Sequence, residues 1–308
     1  MYFPYLRGRQ FELIALRELI EGKIIGNNIL PIIEPIKLSS TLLTTLTSFT
    51  EEQRSIAVIH NPQVGSFSAD IAELKNPITD KYLQLLKSKY IIKSHILNKD
   101  SDNELKGLLA LKITKQELLI ISNSRECLDK YTNNFSAEKP RYNLIPDESA
   151  FRRKVKDNKV IFNDKFQKLN RNCDYKGIDE VFSDDHLYYG DDGFIGFSDY
   201  SIVGSEYTEG GFAPYAVAIH IVYFDDEQIL RIKHFVSESN EGIHDPAKKF
   251  YEALTKLAKW QEKKKLDTFG MNVFMEHYKN KTYPGLGTVK KLAIMHHIEL
   301  LSKYLDQV

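Results

Sequence analysis

Eight short apolar runs, each ending in or followed by a polar residue, divide the chain between residues 2 and 199. They are YFPYL, ILPIIEPI, SIAVIH, YIIKSHIL, ELLIIS, RYNLIP, KVIFND and FIGFSD. Continuous runs of Ile, Val, Leu and Tyr are typical of strands buried on both faces of a parallel sheet. Because most runs are separated by segments of helical pattern, the sequence predicts an α/β fold, a (β/α)8 TIM-barrel-like sheet.

The segments between the runs carry helix signals. QFELIALRELIEG places its apolar residues on one face and stops at Gly22, which predicts an amphipathic helix. Ser39 and Ser40 are predicted N-caps for the helix LLTTLTSF. Between strands seven and eight, KLNRNCDYKGIDEVFSDDHLYY has little helical pattern, so the seventh unit is predicted to be short or irregular.

The pattern changes beyond residue 200. AVAIHIVYF, an Asp-Asp-Glu-Gln turn and ILRIKHFVS predict a β-hairpin inserted after strand eight. Two helices are predicted to follow, one over DPAKKFYEALTKLAKWQEKKK and one from Pro284 onwards. We therefore predict one domain over 1–308, with a loop and hairpin insertion at 200–240 and C-terminal helices at 245–308.

Composition narrows the class of protein. Lys plus Arg equals Asp plus Glu at 42 each, and this zero net charge disfavours nucleic-acid binding through bulk electrostatics. The two cysteines lack CxxC spacing, and no apolar stretch is long enough to span a membrane. The sequence thus predicts a cytoplasmic protein without membrane contact. A local basic cluster, Arg152, Arg153, Lys154 and Lys156, remains a candidate for nucleic-acid binding through phosphate contacts.

Arg7 and Arg9 follow the first strand on either side of Gly8. In a barrel of this class, side chains at strand C-termini converge on one mouth. Two guanidinium groups near a helix N-terminus could hold a phosphate or carboxylate there. In the alternative interpretation, they pair with acidic neighbours on the barrel rim.

Glu34 lies inside the apolar run PIIEPI, where an unpaired carboxylate would be costly. It must pair with a cation such as Arg7, Lys37 or Lys93, or serve as an acid or base. A structural Glu–Arg pair is the alternative to catalysis.

Lys93 and His95 are two residues apart and therefore share a face of their strand. If that face is the barrel interior, they lie near Glu34 and His60, and a desolvated lysine there could form a Schiff base. The alternative places both on the helix-facing surface. These four residues, Glu34, His60, Lys93 and His95, are the predicted catalytic residues.

Three polar residues at other strand ends, Asn61, Asp147 and Asp199, are candidate ligand-binding groups. A divalent metal could instead be held by Glu34, His60, Asp147, Asp164 and Asp199. No HxH, HExxH or ExD spacing concentrates two metal ligands in one segment. The sequence therefore leaves the metal unknown and specifies no cofactor.

The segment YPGLGTVKKLAIMHH is a second candidate for anion binding. Gly285 and Gly287 precede a helix that carries Lys290 and Lys291, an arrangement able to bind phosphate through backbone N–H groups. A tight turn at the start of a helix is the alternative. The acidic loop SEYTEGG, near Asp199, could likewise be a lid over the mouth or a static turn.

Four segments also resemble the Beta protein family of bacterial and phage proteins. They are MYFPYLRGRQFELIALREL, PIIEP, GFSDYSIVGSEYTEGG with AVAIHIVYF, and YPGLGTVKKLAIMHHIEL. The resemblance extends over the whole chain and is closest to a subgroup encoded beside a small nuclease-like partner. It implies a barrel-like fold and a mobile-element or phage-defence setting, and it supplies no catalytic residues.

We expect a phosphate- or carboxylate-bearing ligand at the barrel mouth, with the two arginines holding the anion. Glu34, with His60 or His95, would act as acid or base, and an enzyme built this way would hydrolyse a phosphorylated or nucleotide-like substrate. The alternative is a non-catalytic sensor in a two-gene defence module. Its hairpin, 216–236, would then contact a protein partner encoded nearby.

Overall fold

The computed structural model describes residues 1–73, 77–210 and 214–307. These residues form two compact units, where the sequence predicted one domain. The first unit contains Met1–Leu13, Asn27–Asn163 and Asp185–Asp199. The second contains Ile14–Gly26, Asp164–Asp184 and the described residues of Tyr200–Val308.

The first unit is built on eight parallel strands in chain order, each bonded to the next. They are β1 (Tyr5–Leu6), β2 (Ile32–Ile33), β3 (Ile56–Ile59), β4 (Ile91–Ile96), β5 (Leu119–Ile121), β6 (Tyr142–Ile145), β7 (Lys159–Phe162) and, after a β8 in the second unit, β9 (Gly196–Ser198). All eight lie within the predicted apolar runs. The predicted (β/α)8 TIM-barrel-like class, with its hairpin and C-terminal helices, is confirmed.

The barrel is nearly closed at the seam between β1 and β9. Tyr2 bridges to Ile29 on one side and to Phe197 on the other. Phe3 donates its N–H to the Phe197 carbonyl at 2.9 Å, and Phe197 donates to the Met1 carbonyl at 3.1 Å. The residues before β1 therefore extend the backbone hydrogen bonding across this seam.

Helices separate most of the barrel strands. They are α1 (Gln10–Glu21), which is divided between the units, α2 (Ser40–Glu51), α3 (Phe67–Ala72), α4 (Pro77–Leu85), α5 (Ser101–Ala110), α6 (Leu128–Phe135), α7 (Ser149–Lys154) and α8 (Asp185–Tyr188). The Ser39 hydroxyl accepts the Leu42 N–H at 3.2 Å, as expected of the predicted N-cap. Pro31 and Pro35 flank β2, which is why only two residues of that run are strand.

The second unit contains a three-stranded antiparallel sheet in the order β10-β11-β8. The predicted hairpin is β10 (Ala218–Phe224) with β11 (Leu230–Val236). The third strand, β8 (Asp179–Ser183), pairs with β11 and comes from the segment between the last two barrel strands. That segment was predicted to be a short or irregular helical unit, and its strand was not anticipated.

Three helices follow the hairpin, namely α9 (Pro246–Lys264), α10 (Phe269–Asn280) and α11 (Leu286–Leu305). The prediction of two was wrong because α10 was missed. An added Cβ at Gly270, in its first turn, would lie 2.3 Å from the Leu292 carbonyl of α11. Glycine thus permits close packing of α10 on α11, while it weakens the helix signal in the sequence.

Gly196 lies at a position of the barrel seam where the surrounding atoms leave no room for a side chain. An added Cβ there would lie 2.5 Å from the Met1 carbonyl and 2.7 Å from the Phe3 ring. We expect Gly196→Ala to lower the free energy of unfolding by about 2 kcal/mol. Gly107→Ala is the control, because nothing lies within 4 Å of an added Cβ at this position of α5. Alanine should stabilise that exposed helix by about 1 kcal/mol, and equal urea midpoints for the two variants would contradict the close approach.

Candidate ligand-binding site

Strand register decides which polar residues point into the barrel. Phe3 and Tyr142 meet across it with ring centroids 5.1 Å apart, so both point inward. Paired positions on parallel strands point to the same face of the sheet. Tyr142 of β6 pairs with a position of β5 that in turn pairs with Ser94 of β4, so Ser94 also points inward. Because side chains alternate along a strand, Lys93 and His95 point outward toward the helices. They take the helix-facing alternative, so the condition for an interior Schiff-base lysine is not met.

Glu34 follows β2 and is fully buried. The Arg7 guanidinium forms an ion pair with its Oε2, and the Tyr5 hydroxyl donates to the same atom at 2.6 Å. The Gln63 backbone N–H donates to Oε1 at 2.8 Å. The structural Glu–Arg pair is therefore present, and the Arg7 charge is used within the protein. Arg9 donates its own backbone N–H to Glu12 at 3.4 Å.

His60 and His95 form a stacked pair with ring centroids 4.9 Å apart. One hydrogen bond of 2.7 Å joins His60 Nε2 to His95 Nδ1, and His95 Nε2 lies 2.8 Å from the Ser101 hydroxyl. Burial lowers the pKa of His60 to about 4, and burial together with His60 lowers the pKa of His95 to about 3. Both rings are therefore neutral at pH 7, and the pair joins β3 and β4 to the start of α5.

Asn61 joins the ends of β3 and β4. Its amide nitrogen donates to the Ile96 carbonyl and to Glu104 Oε2, each at 2.8 Å, and its oxygen accepts the Ile96 N–H at 2.9 Å. These bonds use both ends of the side chain. The predicted ligand-binding Asn61 therefore has a structural role in the described residues.

The predicted aspartates have separate partners. Asp199 accepts the Tyr2 hydroxyl at 2.8 Å, and Asp147 is exposed and pairs with Arg152 of the basic cluster at 3.2 Å. Asp164 belongs to the second unit and accepts two backbone N–H groups there. Within the described ranges, no group of three or more His, Cys, Asp or Glu side chains could hold a metal ion.

A cavity of about 340 Å³ lies entirely within the second unit. Small-ligand sites occupy about 300 to 1,000 Å³, so this cavity fits a small molecule. Much of its wall is apolar, from residues that include Phe166, Ile202, Val217, Ile219, Val289 and Ala293. Its polar side chains are Lys168, Asn170, Asn172, Tyr175, His220 and Lys290.

His220 and His234 face each other across the hairpin, as paired residues of β10 and β11. Their Nδ1 atoms are 2.6 Å apart, so one ring donates to the other. His234 Nε2 makes no hydrogen bond to the described residues, but Glu180 Oε1 lies 3.7 Å away, and this nearby carboxylate favours a proton on that nitrogen. His234 Nδ1 then accepts from His220, and His220 Nε2 is left as an acceptor with no hydrogen bond among the described residues.

Both rings are neutral at pH 7. Burial, followed by the charges of His234 and Lys290, lowers the pKa of His220 to about 3. Burial also lowers the pKa of His234 to about 4. Lys290 is therefore close enough to His220 to act on it electrostatically, and both line the same cavity.

The second predicted anion-binding segment, YPGLGTVKKLAIMHH, has its two lysines in different environments. Gly285 is the N-cap of α11 and offers no capping side chain, while Gly287 lies in the first turn. Lys290 lines the cavity, whereas Lys291 forms an ion pair with Glu18 at 2.6 Å. One of the two predicted lysines is thus placed to meet a ligand.

The loop of the insertion contributes Glu206, which pairs with Lys168 at 2.9 Å. Residues 211–213 of this loop, Gly211 of the SEYTEGG motif among them, lie outside the described residues. The role of the loop as a lid stays a prediction.

The predicted partner-binding edge of the hairpin is partly covered. His296 of α11 donates to the Val222 carbonyl of β10 at 2.7 Å, so α11 covers that point of the strand edge.

The fold and cavity define an α/β-barrel protein with a ligand-sized cavity in an added antiparallel unit. No protein-family model matches the chain, and no curated protein or solved structure matches it at a significant level. The resemblance to the Beta protein family therefore stays an expectation. Among the described helices, none combines the length and apolar composition needed to cross a lipid bilayer.

Sequence reasoning missed His220, His234 and Glu180. One signal was present, because each strand of the hairpin carries one histidine inside an apolar run. That signal does not specify the pairing register, so it does not by itself place the two histidines opposite each other.

Proposed function

We propose that the chain binds a small ligand carrying a phosphate or carboxylate group, in the cavity of the second unit. The observation that carries this proposal is the combination of an apolar wall with Lys290 and His220 at its polar side. α11 begins beside them, since Leu286 also lines the cavity. The N-terminus of this long helix adds partial positive charge and first-turn N–H groups.

The cavity supports anion binding better than the barrel mouth does. At the mouth, the Arg7 charge is balanced by the buried Glu34 carboxylate. Among the described residues that line the cavity there are two lysines and no Asp or Glu. Lys168 pairs with Glu206 at 2.9 Å, and no described carboxylate lines the cavity itself, so an incoming anion would meet the positive charge of Lys290 there.

The resemblance to the Beta protein family favours a mobile-element or phage-defence setting for this binding activity. In that setting, the ligand would be a phosphorylated small molecule, and the products of neighbouring genes would be the candidate partners. Copurification with such a product tests the setting separately from ligand binding.

Calorimetric titration with phenyl phosphate, benzoate and neutral benzamide tests the binding proposal. Both anions should bind and benzamide should bind far more weakly, because only the anions meet Lys290. Lys290→Gln should weaken phenyl phosphate binding by about tenfold, the effect of losing one charged hydrogen bond. Lys291→Gln is the matched control, since Lys291 pairs with Glu18 outside the cavity. Equal affinities for Lys290→Gln and the unaltered protein would contradict the proposal.

A further inference from the structure

We propose that His220 exchanges a proton with the anionic group of the bound ligand, that His234 positions it, and that the ligand is a phosphomonoester. This inference rests on the proposed function of the cavity. It adds the residue that handles the proton and narrows the ligand from anions in general to one class.

The first step is the direction of the hydrogen bonds. The Glu180 carboxylate lies 3.7 Å from His234 Nε2, too far for a hydrogen bond but close enough to attract a proton there, and His234 Nδ1 lies 2.6 Å from His220 Nδ1. A proton on His234 Nε2 makes its Nδ1 the acceptor for His220. His220 Nε2 is then available as a base at the cavity, because it makes no hydrogen bond to the described residues.

The second step is the set of charged and titratable groups around His220. On its own face of the sheet they are His234 from β11, Glu180 from β8, Tyr175 from the 3-10 helix Asn172–Tyr175, and Lys290 from α11. Asp179, Arg231 and Lys233 form an ion cluster on the opposite face, because their strand positions alternate with those of Glu180, Ile232 and His234. The charges of Asp179 and Lys233 still act on His234, Asp179 raising its pKa and Lys233 lowering it. α9 packs on that opposite face through Trp260 against Tyr223 and carries Lys264 over the same ring.

The third step is what a bound anion changes. In the empty cavity, Lys290 and burial disfavour a positive charge on His220. An anion balances the charge of Lys290 and accepts a hydrogen bond from a protonated Nε2. Glu180, behind His234, is placed to stabilise the resulting imidazolium. The bound state therefore holds a proton that the empty state does not.

The fourth step is the class of ligand. A phosphate ester has a second pKa of about 6, whereas a carboxylate has a pKa of about 4. A non-bridging phosphate oxygen is therefore a better partner for sharing a proton with a histidine near pH 7.

Calorimetry of phenyl phosphate binding at pH 7.5, in buffers of different ionisation enthalpy, measures the proton directly. The unaltered protein should take up a measurable fraction of a proton per ligand. Its affinity should fall as pH rises, with a limit of about tenfold per pH unit. Phenyl phosphate should bind more tightly than benzoate at pH 6.5.

His220→Gln should still bind phenyl phosphate but should lose the proton uptake, and His220→Asn serves if the glutamine variant does not fold. His277→Gln is the matched control, because His277 bonds to Thr282 at the end of α10 and does not line the cavity. It should keep the uptake unchanged.

The positioning role has its own measurement. Glu180→Gln removes the charge behind His234 without touching the cavity wall, and Glu180 is partly exposed. The pH at which uptake is half complete should shift downward, while affinity at low pH changes less than threefold. A merely structural Glu180 would leave that pH profile in place.

Three results would overturn the inference. Uptake that persists in His220→Gln would put the proton on the ligand alone. Tight binding of phenyl phosphate to the unaltered protein without proton uptake would contradict the inference but not the proposed function. Failure of both phenyl phosphate and benzoate to bind would remove the proposed function as well.

Discussion

Lowering the pH from 7 to 5 should remove most of the stability of this protein. Six buried or half-buried histidines have a depressed pKa, which is about 3 for His95, His220 and His297 and about 4 for His60, His234 and His296. Burial is the largest cause in every case. His296 shows the structural reason, since it donates from Nε2 to the Val222 carbonyl and uses Nδ1 as the acceptor for Thr268.

The direction of the effect follows from proton binding. The unfolded chain binds protons at histidine near pH 6.5, whereas the folded chain does not until about pH 4, so acid favours unfolding between those values. The stabilisation is complete above pH 6.5 and is lost as pH falls toward the folded values. Each histidine contributes about 2 kcal/mol between pH 6.5 and 5. Six such sites would together remove most of a total stability of about 5–15 kcal/mol.

Chemical unfolding at pH 7, 6 and 5 measures the effect, with far-UV circular dichroism for the whole chain and Trp260 fluorescence for the second unit. His60→Gln should reduce the proton uptake on unfolding by about one. His244→Gln is the matched control, because His244 is exposed in the loop before α9. Stability that does not change between pH 7 and 5 would mean that the folded protein protonates these rings freely.

The barrel strands could be predicted because parallel strands buried on both faces need continuous apolar runs. The run YIIKSHIL contains β4, and SIAVIH contains β3. For the same reason, the sequence did not show which side chains point into the barrel and which point toward the helices. A strand that is apolar on both faces has no alternation to separate inside from outside, so the faces of Lys93 and His95 depend on the register with neighbouring strands.

The cavity depended on a register that the sequence did not specify. A four-residue turn at Asp225–Gln228 would place His220 opposite Lys233. The hairpin instead pairs Phe224 with Leu230, which leaves a fifth residue in the turn and places His220 opposite His234. A shift of one residue exchanges the two faces of a strand, so the histidine pair could not be derived from the hairpin signal alone.

The residues proposed to bind an anion were only partly predictable for a different reason. Lys290 and Lys291 are adjacent in sequence, and both were reasonable candidates. Their neighbours come from distant segments, since Lys291 meets Glu18 and Lys290 lies in a cavity with Phe166 and His220. Long-range packing, rather than the local glycine pattern, decides which lysine can reach a ligand.

Arg7→Met should lower the free energy of unfolding by about 3–5 kcal/mol. The side chain of Glu34 is 1% exposed and that of Arg7 is 12% exposed, so the variant leaves a buried carboxylate without its opposite charge. The Tyr5 hydroxyl and the Gln63 N–H remain as donors, but neither carries a charge. Urea unfolding at pH 7.5, followed by far-UV circular dichroism, measures the loss.

The double variant Arg7→Met, Glu34→Gln separates the missing charge from the missing contacts. Its neutral amide can accept the Gln63 N–H and donate to the Tyr5 oxygen, so we expect about 2 kcal/mol or more to be recovered relative to Arg7→Met. Arg125→Ala is the surface control, because Arg125 is 71% exposed in its ion pair with Glu148, and it should change stability little. If the double variant is no more stable than Arg7→Met, the loss comes from packing of the arginine stem, and Glu34 does not require its partner's charge.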